Sequence, residues 1–174
     1  MPLASAFNGP GLKGFKWMAV AGLVMALDQA TKWVASAELA LGERVAVLPF
    51  FSWVLWHNDG AAFSFMSGLG GWQRWFFVAL AGGFSVFIVY ELRRLRVGDW
   101  PQGLAYGMIL GGALGNMIDR LISGYVVDFV LFHYGSWYFP AFNLADAALT
   151  CGAALWILCM IRDARASPSA RAGE

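Results

Sequence analysis

The sequence predicts an all-α membrane protein: four transmembrane helices with a small extracytoplasmic β-type cradle. Three observations carry this. The 174 residues are 59% hydrophobic and only 13% charged, whereas soluble domains run nearer about 25% charged. Four apolar runs approach the ~20 residues a helix needs to cross a bilayer. One stretch between them has strand composition. The length allows one compact domain. The net charge of +1 argues neither for nor against an anionic partner, and no basic patch points to nucleic acid.

The first run extends from about Phe15 to Ala37 and is interrupted by Asp28 and Lys32. A charge at mid-membrane costs about 2.5–3.5 kcal/mol on insertion scales, so a span that keeps two has a use for them. The two lie about 20 and 25 Å along the helix, four residues apart, where they can pair. The bland reading is an ion pair that only positions the helix end. Lys13, Lys16, the uncharged run 17–27 and Ala35-Ser36-Ala37 also resemble a cleavable signal peptide. Against that, Asp28 and Lys32 fall where such a segment is apolar.

Residues 43–70 form the one substantial segment outside the spans. Val45, Val47, Phe50, Trp53 and Val54 have strand character, and Asn58-Asp59-Gly60 is a turn signal. Trp53, Trp56, Phe63 and Phe65 suit a small sheet at the headgroup layer; an irregular loop is the alternative.

The second run, Trp75 to Tyr90, is uncharged, as is the third, Pro101 to Ile118, which ends at Asp119-Arg120. Gly103, Gly107, Gly111 and Gly115 recur every four residues, the small-xxx-small spacing that admits a neighbouring backbone. Each step drifts about 40° on a 3.6-residue helix, so no single contact is expected to use all four. Asn116, Asp119 and Arg120 share one face. Val126-Val127-Asp128-Phe129-Val130 is expected in the outside loop before the fourth run, about Ala141 to Ile161. There Asn143 and Asp146 face the same way. Cys151 and Cys159, about 12 Å apart along that helix, are too distant for a disulfide and are expected as buried packing residues. Residues 1–12 and 163–174 are expected as disordered cytoplasmic tails around one domain, 13–162.

Lys13, Lys16, Arg93, Arg94, Arg96, Arg162, Arg165 and Arg171 fall on one side, which the positive-inside rule makes cytoplasmic. Both termini belong there. Asn116, Asp119, Arg120, Asp128, Asn143 and Asp146 then gather at the opposite face. Three carboxylates compete there for one guanidinium, and Arg120 pairs most easily with Asp119 or a substrate oxygen. Two acids remain without a fixed cation. Such neighbours share a proton and can serve as general base on water and general acid on a leaving amine. An aspartyl hydrolase fits; a small proton- or solute-coupled transporter explains intramembrane acids almost as well. His57 and His133 have no nucleophile at telling spacing, and neither a metal nor another cofactor is expected.

Five strings narrow this choice. Asp28-Gln29-Ala30-Thr31-Lys32, Asn58-Asp59-Gly60-Ala61-Ala62-Phe63, Gly115-Asn116-Met117-Ile118-Asp119-Arg120, Val126-Val127-Asp128-Phe129 and Phe142-Asn143-Leu144-Ala145-Asp146 occur in this order. Over roughly residues 14–162 the chain resembles bacterial lipoprotein signal peptidase, or signal peptidase II. The resemblance implies a four-helix aspartic endopeptidase of the inner membrane with its active site near the outer leaflet. It implies cleavage of prolipoproteins immediately before the diacylglyceryl-modified cysteine. Asp128 and Asp146 match the catalytic dyad. Asn116, Asp119, Arg120 and Asn143 match polar positions around the substrate. Asn58 and Gly60 match the cradle motif, and Asp28 and Lys32 the first-helix motif. The implied partners are the lipid-modified precursor and membrane lipid, with the enzyme a monomer. A transporter would need a polar path toward the cytoplasm, and the inner halves of the spans carry no charge. A purely scaffolding protein would tolerate Asp128→Asn.

Overall fold

A computed structural model describes residues 14–60, 71–96 and 98–166. Of the expected tails, residues 1–12 and 167–174 lie outside these residues, as do Ala61, Ala62, Phe63 and Phe65. Along the chain come α1 (Phe15–Glu38), β1 (Arg44–Leu48), β2 (Phe51–Asn58), α2 (Trp72–Arg94), α3 (Trp100–Ile122), β3 (Val126–Tyr134), β4 (Trp137–Tyr138) and α4 (Leu144–Ala166). The protein is thus mostly helical, with a small antiparallel sheet.

The helices have 23 or 24 residues each, about 35 Å of rise. Of these, α2 and α4 are long and apolar enough to cross a membrane. The other two are less apolar for identifiable reasons: α1 carries Asp28 and Lys32, and α3 is rich in glycine. Helix α3 sits at the centre and packs on α1, α2 and α4. Where lipid surrounds a bundle, close van der Waals packing replaces the hydrophobic drive between helices, and α3 supplies the smooth surface that packing needs. A Cβ on Gly107 would lie 2.9 Å from the Trp17 carbonyl oxygen, and one on Gly111 2.6 Å from that of Ala21. A Cβ on Gly103 would overlap the Trp17 indole, and one on Gly115 would lie 2.6 Å from the Asp28 carboxylate. All four glycines therefore face α1, which corrects the expectation that no one contact uses them all. A four-residue ridge is inclined to its own helix axis, and a partner lying along that incline meets every step. In the half of the bundle remote from the sheet, Tyr106, Ile109 and Leu110 close a core with Ala21, Ile88 and Leu92.

The sheet order is β1-β2-β3-β4, antiparallel throughout. The β1–β2 hairpin turns at Pro49-Phe50, and the β3–β4 hairpin turns at Gly135, whose φ of 57° lies in the left-handed region open to glycine. Residues 126–134 are consequently strand and not the loop expected from sequence. Their partner is β2, far away in the chain, which pairs Phe51 with Phe132 and Asn58 with Val126.

Three further expectations are corrected. Helix α4 begins at Leu144, because Phe142 bridges to Val130 and prolongs the sheet. It continues to Ala166, so residues 163–166 are helical and not tail; the Ala-Arg-Ala composition there favours helix. Cys159 is buried, but Cys151 is exposed, lining an open cavity beside α4.

Candidate active site

The end of the bundle next to the sheet gathers the polar residues. Asn143 caps α4: its Oδ1 accepts the Asp146 backbone N–H at 3.0 Å, and Asp146 Oδ2 accepts the Asn143 N–H at 3.2 Å. This is a reciprocal capping box, which satisfies two N–H groups that a helix start leaves without partners. The same asparagine, fully buried, donates its Nδ2 to Asp128 Oδ1 at 2.8 Å. One residue thus bonds both carboxyls, Asp128 through its side chain and Asp146 through its backbone N–H. Asn58 donates to the other Asp128 oxygen at 3.0 Å, and Asn116 donates to Asp146 Oδ1 at 2.7 Å. Asp128 is 3% exposed and Asp146 half-buried. Among the described residues neither forms an ion pair. Burial, and next the charge of Asp146, push the Asp128 carboxyl up to about 7, against the opposing bonds from Asn58 and Asn143.

The cation–acid pairing differs from the expected one. Asp119 does not pair with Arg120; its Oδ2 meets Lys32 Nζ at 2.8 Å, and Asp28 meets the same ammonium at 2.8 Å. Arg120 donates instead to the Gly60 carbonyl at 2.8 Å, with its guanidinium 4.8 Å from the Phe77 ring centre. Within one helix only the i±3 and i±4 neighbours can be read from spacing, and here a residue of another helix wins. Asn58 Oδ1 accepts the Gly60 N–H at 3.1 Å, so Asn58 and Gly60 form one turn beside Asp128 and Arg120. All ten residues expected at the site therefore meet at this end of the bundle. A cavity of about 770 Å³ opens beside them, lined by Phe77, Leu80 and Phe84 of α2, Asn116 and Arg120 of α3, and Asp146 of α4, among others.

Sequence reasoning missed three things. Gln29 Nε2 donates to Asp119 Oδ1 at 2.8 Å; its place inside the Asp28–Lys32 string was the available signal. Phe77 sits in an unmarked apolar run. Third, His133 Nε2 lies 3.0 Å from Ser52 Oγ, a contact between strands that no spacing reveals. Ser52 is fully buried and also bonded to Arg44 Nε at 3.0 Å. No carboxylate bonds to His133 among the described residues, so the pair ties strands together and lacks the third member of a nucleophilic triad. No cluster of three metal-ligating side chains occurs among the described residues.

Two helices long and apolar enough to cross a membrane and two carboxyls bonded by one asparagine are the parts that a membrane aspartic peptidase would combine. Residues 20–162 match the family described as signal peptidase (SPase) II. The chain belongs to that family. It is 50% identical to a lipoprotein signal peptidase of Acinetobacter baumannii over 142 residues, 82% of this chain and 81% of the relative. It is 46% identical to one from Pseudomonas aeruginosa over 156 residues, 88% and 92% of the two chains. A bacterial membrane enzyme solved by the in meso method at 2.3 Å resolution is similar in structure, with a TM-score of 0.79 and 30% identity over 87% of this chain and 91% of that one.

Proposed function

We propose that the chain removes signal peptides from lipoprotein precursors, cutting immediately before the diacylglyceryl-modified cysteine with Asp128, Asp146 and a water. The observation that carries this is the single Asn143 that bonds both acids. Burial and the Asp146 charge, which push the Asp128 carboxyl up to about 7, support Asp128 as the member that keeps its proton. Asp146, holding donors from Asn116 and the Asn143 backbone, is then the carboxylate. Asp146 takes a proton from water as the water oxygen attacks the scissile carbonyl. The C–N bond breaks, and the Asp128 proton goes to the departing amine. The proton on Asp146 then restores the pair. Arg120 and the Asn58–Gly60 turn line the approach.

In this reading all four helices span the bacterial inner membrane, since each has the required length. Both termini are cytoplasmic by charge, and the site lies near the outer leaflet. Residues 13–162 form the peptidase domain, with 43–70 contributing its cradle, and the enzyme acts as a monomer. A precursor anchored by its lipid reaches such a site while its acyl chains stay in the bilayer. The transporter reading is disfavoured by the apolar core that Tyr106, Ile109 and Leu110 form with Ala21, Ile88 and Leu92, which fills the remote half among the described residues.

The test is cleavage of a purified diacylglyceryl-modified prolipoprotein by wild type, Asp128→Asn and Asp146→Asn. Folded variants slower by about 10²–10⁴-fold are expected. A wild-type rate in either variant would remove the dyad, and an inert wild type the peptidase assignment.

A further inference from the structure

Lys32 is buried at 3% exposure, behind the cavity-lining Asn116, and its ammonium has three hydrogens and no acceptor capacity. Three acceptors meet it: Asp28 Oδ2 and Asp119 Oδ2 at 2.8 Å, and Asn116 Oδ1 at 2.9 Å. Each leads to the proposed dyad. Asp28 Oδ1 accepts the backbone N–H of Ala145 at 2.8 Å, the residue just before Asp146. Asp119 Oδ2 accepts the backbone N–H of Val127 at 3.2 Å, the residue just before Asp128. Asn116, with its oxygen held by Lys32, has only its Nδ2 left to turn toward Asp146 Oδ1, at 2.7 Å.

We propose that Lys32 is a positioning residue: one ammonium sets the α4 start, the β3 start and the amide orientation of Asn116, and thereby keeps Asp146 an acceptor. This rests on the dyad proposed above. It says more than that an ion pair tethers a helix end, because it assigns Lys32 an effect on the protonation of the site. With the ammonium gone, the Asn116 amide is free to rotate. Its donor to Asp146 is no longer fixed, and the carboxylate loses the bond that favours its charged form.

Removing Lys32 alone would strand two buried acids, so the principal variant is Asp28→Asn/Lys32→Met/Asp119→Asn in the full chain. Each new asparagine still offers an oxygen to the Ala145 or Val127 N–H. Cleavage of the lipid-modified prolipoprotein is measured across pH, with Tm as the folding check. The expected result is a folded variant with KM nearly unchanged and kcat reduced about a hundredfold. The acid limb of its kcat–pH profile should move up by on the order of one pH unit. Asn116→Ala, which withdraws the same donor while keeping Lys32 and Asp28, whose charges also act on Asp146, should move it likewise. Lys32→Arg, which keeps a cation donor among the three acceptors, should leave the acid limb in place.

A folded triple variant whose acid limb has not moved overturns the proposal, even with lowered kcat, because a merely structural role slows the reaction without moving the profile. Should the triple variant fail to fold, Asn116→Ala, which withdraws the same donor from Asp146, decides: a limb moved up supports the role, and an unmoved limb overturns it. Asp128→Asn and Asp146→Asn are run alongside. If either cleaves at the wild-type rate, the dyad itself falls; if both are dead and the triple variant is unshifted, only the role of Lys32 falls.

Discussion

Asp128→Asn removes a carboxyl whose proton the folded chain holds up to about pH 7, against an ordinary value of 3.8. Between those values the native state binds a proton that the unfolded chain has released. Stability therefore falls as pH rises through this window and levels off above pH 7. At about 1.4 kcal/mol for each pH unit, the penalty in the wild type above pH 7 is about 4 kcal/mol. Some 3 kcal/mol of it develops between pH 5 and 8. Asparagine does not titrate, so the variant escapes that part entirely. It incurs instead a pH-independent cost of about 1–3 kcal/mol, because its NH₂ must face the Asn58 or Asn143 amide that now donates to Asp128. The variant should thus gain about 3 kcal/mol relative to the wild type between pH 5 and pH 8 and be the more stable protein at pH 8. For a chain of this size the relative change in Tm is about 6–12 °C, read by thermal unfolding in detergent at pH 5, 6, 7 and 8. A gap that stays constant with pH, or one that widens in favour of the wild type, would refute the reasoning.

Gly115→Ala drives a Cβ to 2.6 Å from the Asp28 carboxylate. It should lower stability by about 1–3 kcal/mol and slow cleavage, while Gly22→Ala, with nothing within 4 Å, does neither; equal Tm values in the two variants would count against the close helix contact. Asn58→Ala withdraws a donor that favours ionised Asp128, so the alkaline limb of the kcat–pH profile should move to higher pH; a downward move would argue against Asp128 as the proton donor. Ser52→Ala should cost about 1 kcal/mol in unfolding experiments and leave kcat intact, whereas a folded but dead variant would make the Ser52–His133 pair chemical. Dialysis against EDTA should leave the cleavage rate unchanged, and loss of activity restored by a divalent metal would contradict the water-and-acid chemistry.

The buried Asp28–Lys32–Asp119 triad bears on why this site keeps charges that cost so much to bury. Lys32 and its two acids are almost completely buried, and an ion pair in such a place contributes little net stability. What it does supply is geometry: fixed acceptors for two backbone N–H groups on different elements. A set of apolar residues would pack as well but would leave those N–H groups unpaired.

The apolar runs were legible because a bilayer-length helix is written in consecutive residues, and the four observed helices agree with them apart from a few residues at the ends. The acids stood out as well, since any charge in such a run is conspicuous. Strand β3 was not legible as a strand. Val126 to Phe132 is apolar almost throughout, and its identity depends on β2, about 75 residues earlier, being there to pair with it. The turn and aromatic signals of 43–58 were local, and β1 and β2 formed there.

By itself, then, the sequence determined the four helices, the polar strings and the end of the bundle where they collect, because each depends on neighbours within a turn or two. Only the tertiary structure decided which cation serves which acid, which asparagine joins Asp128 to Asp146, and that His133 meets Ser52. Those contacts link α1, α3, α4 and the sheet. Hydrogen bonds of about 3 Å between separate elements depend on how closely backbones approach, and here that approach is set by packing against the glycines of α3.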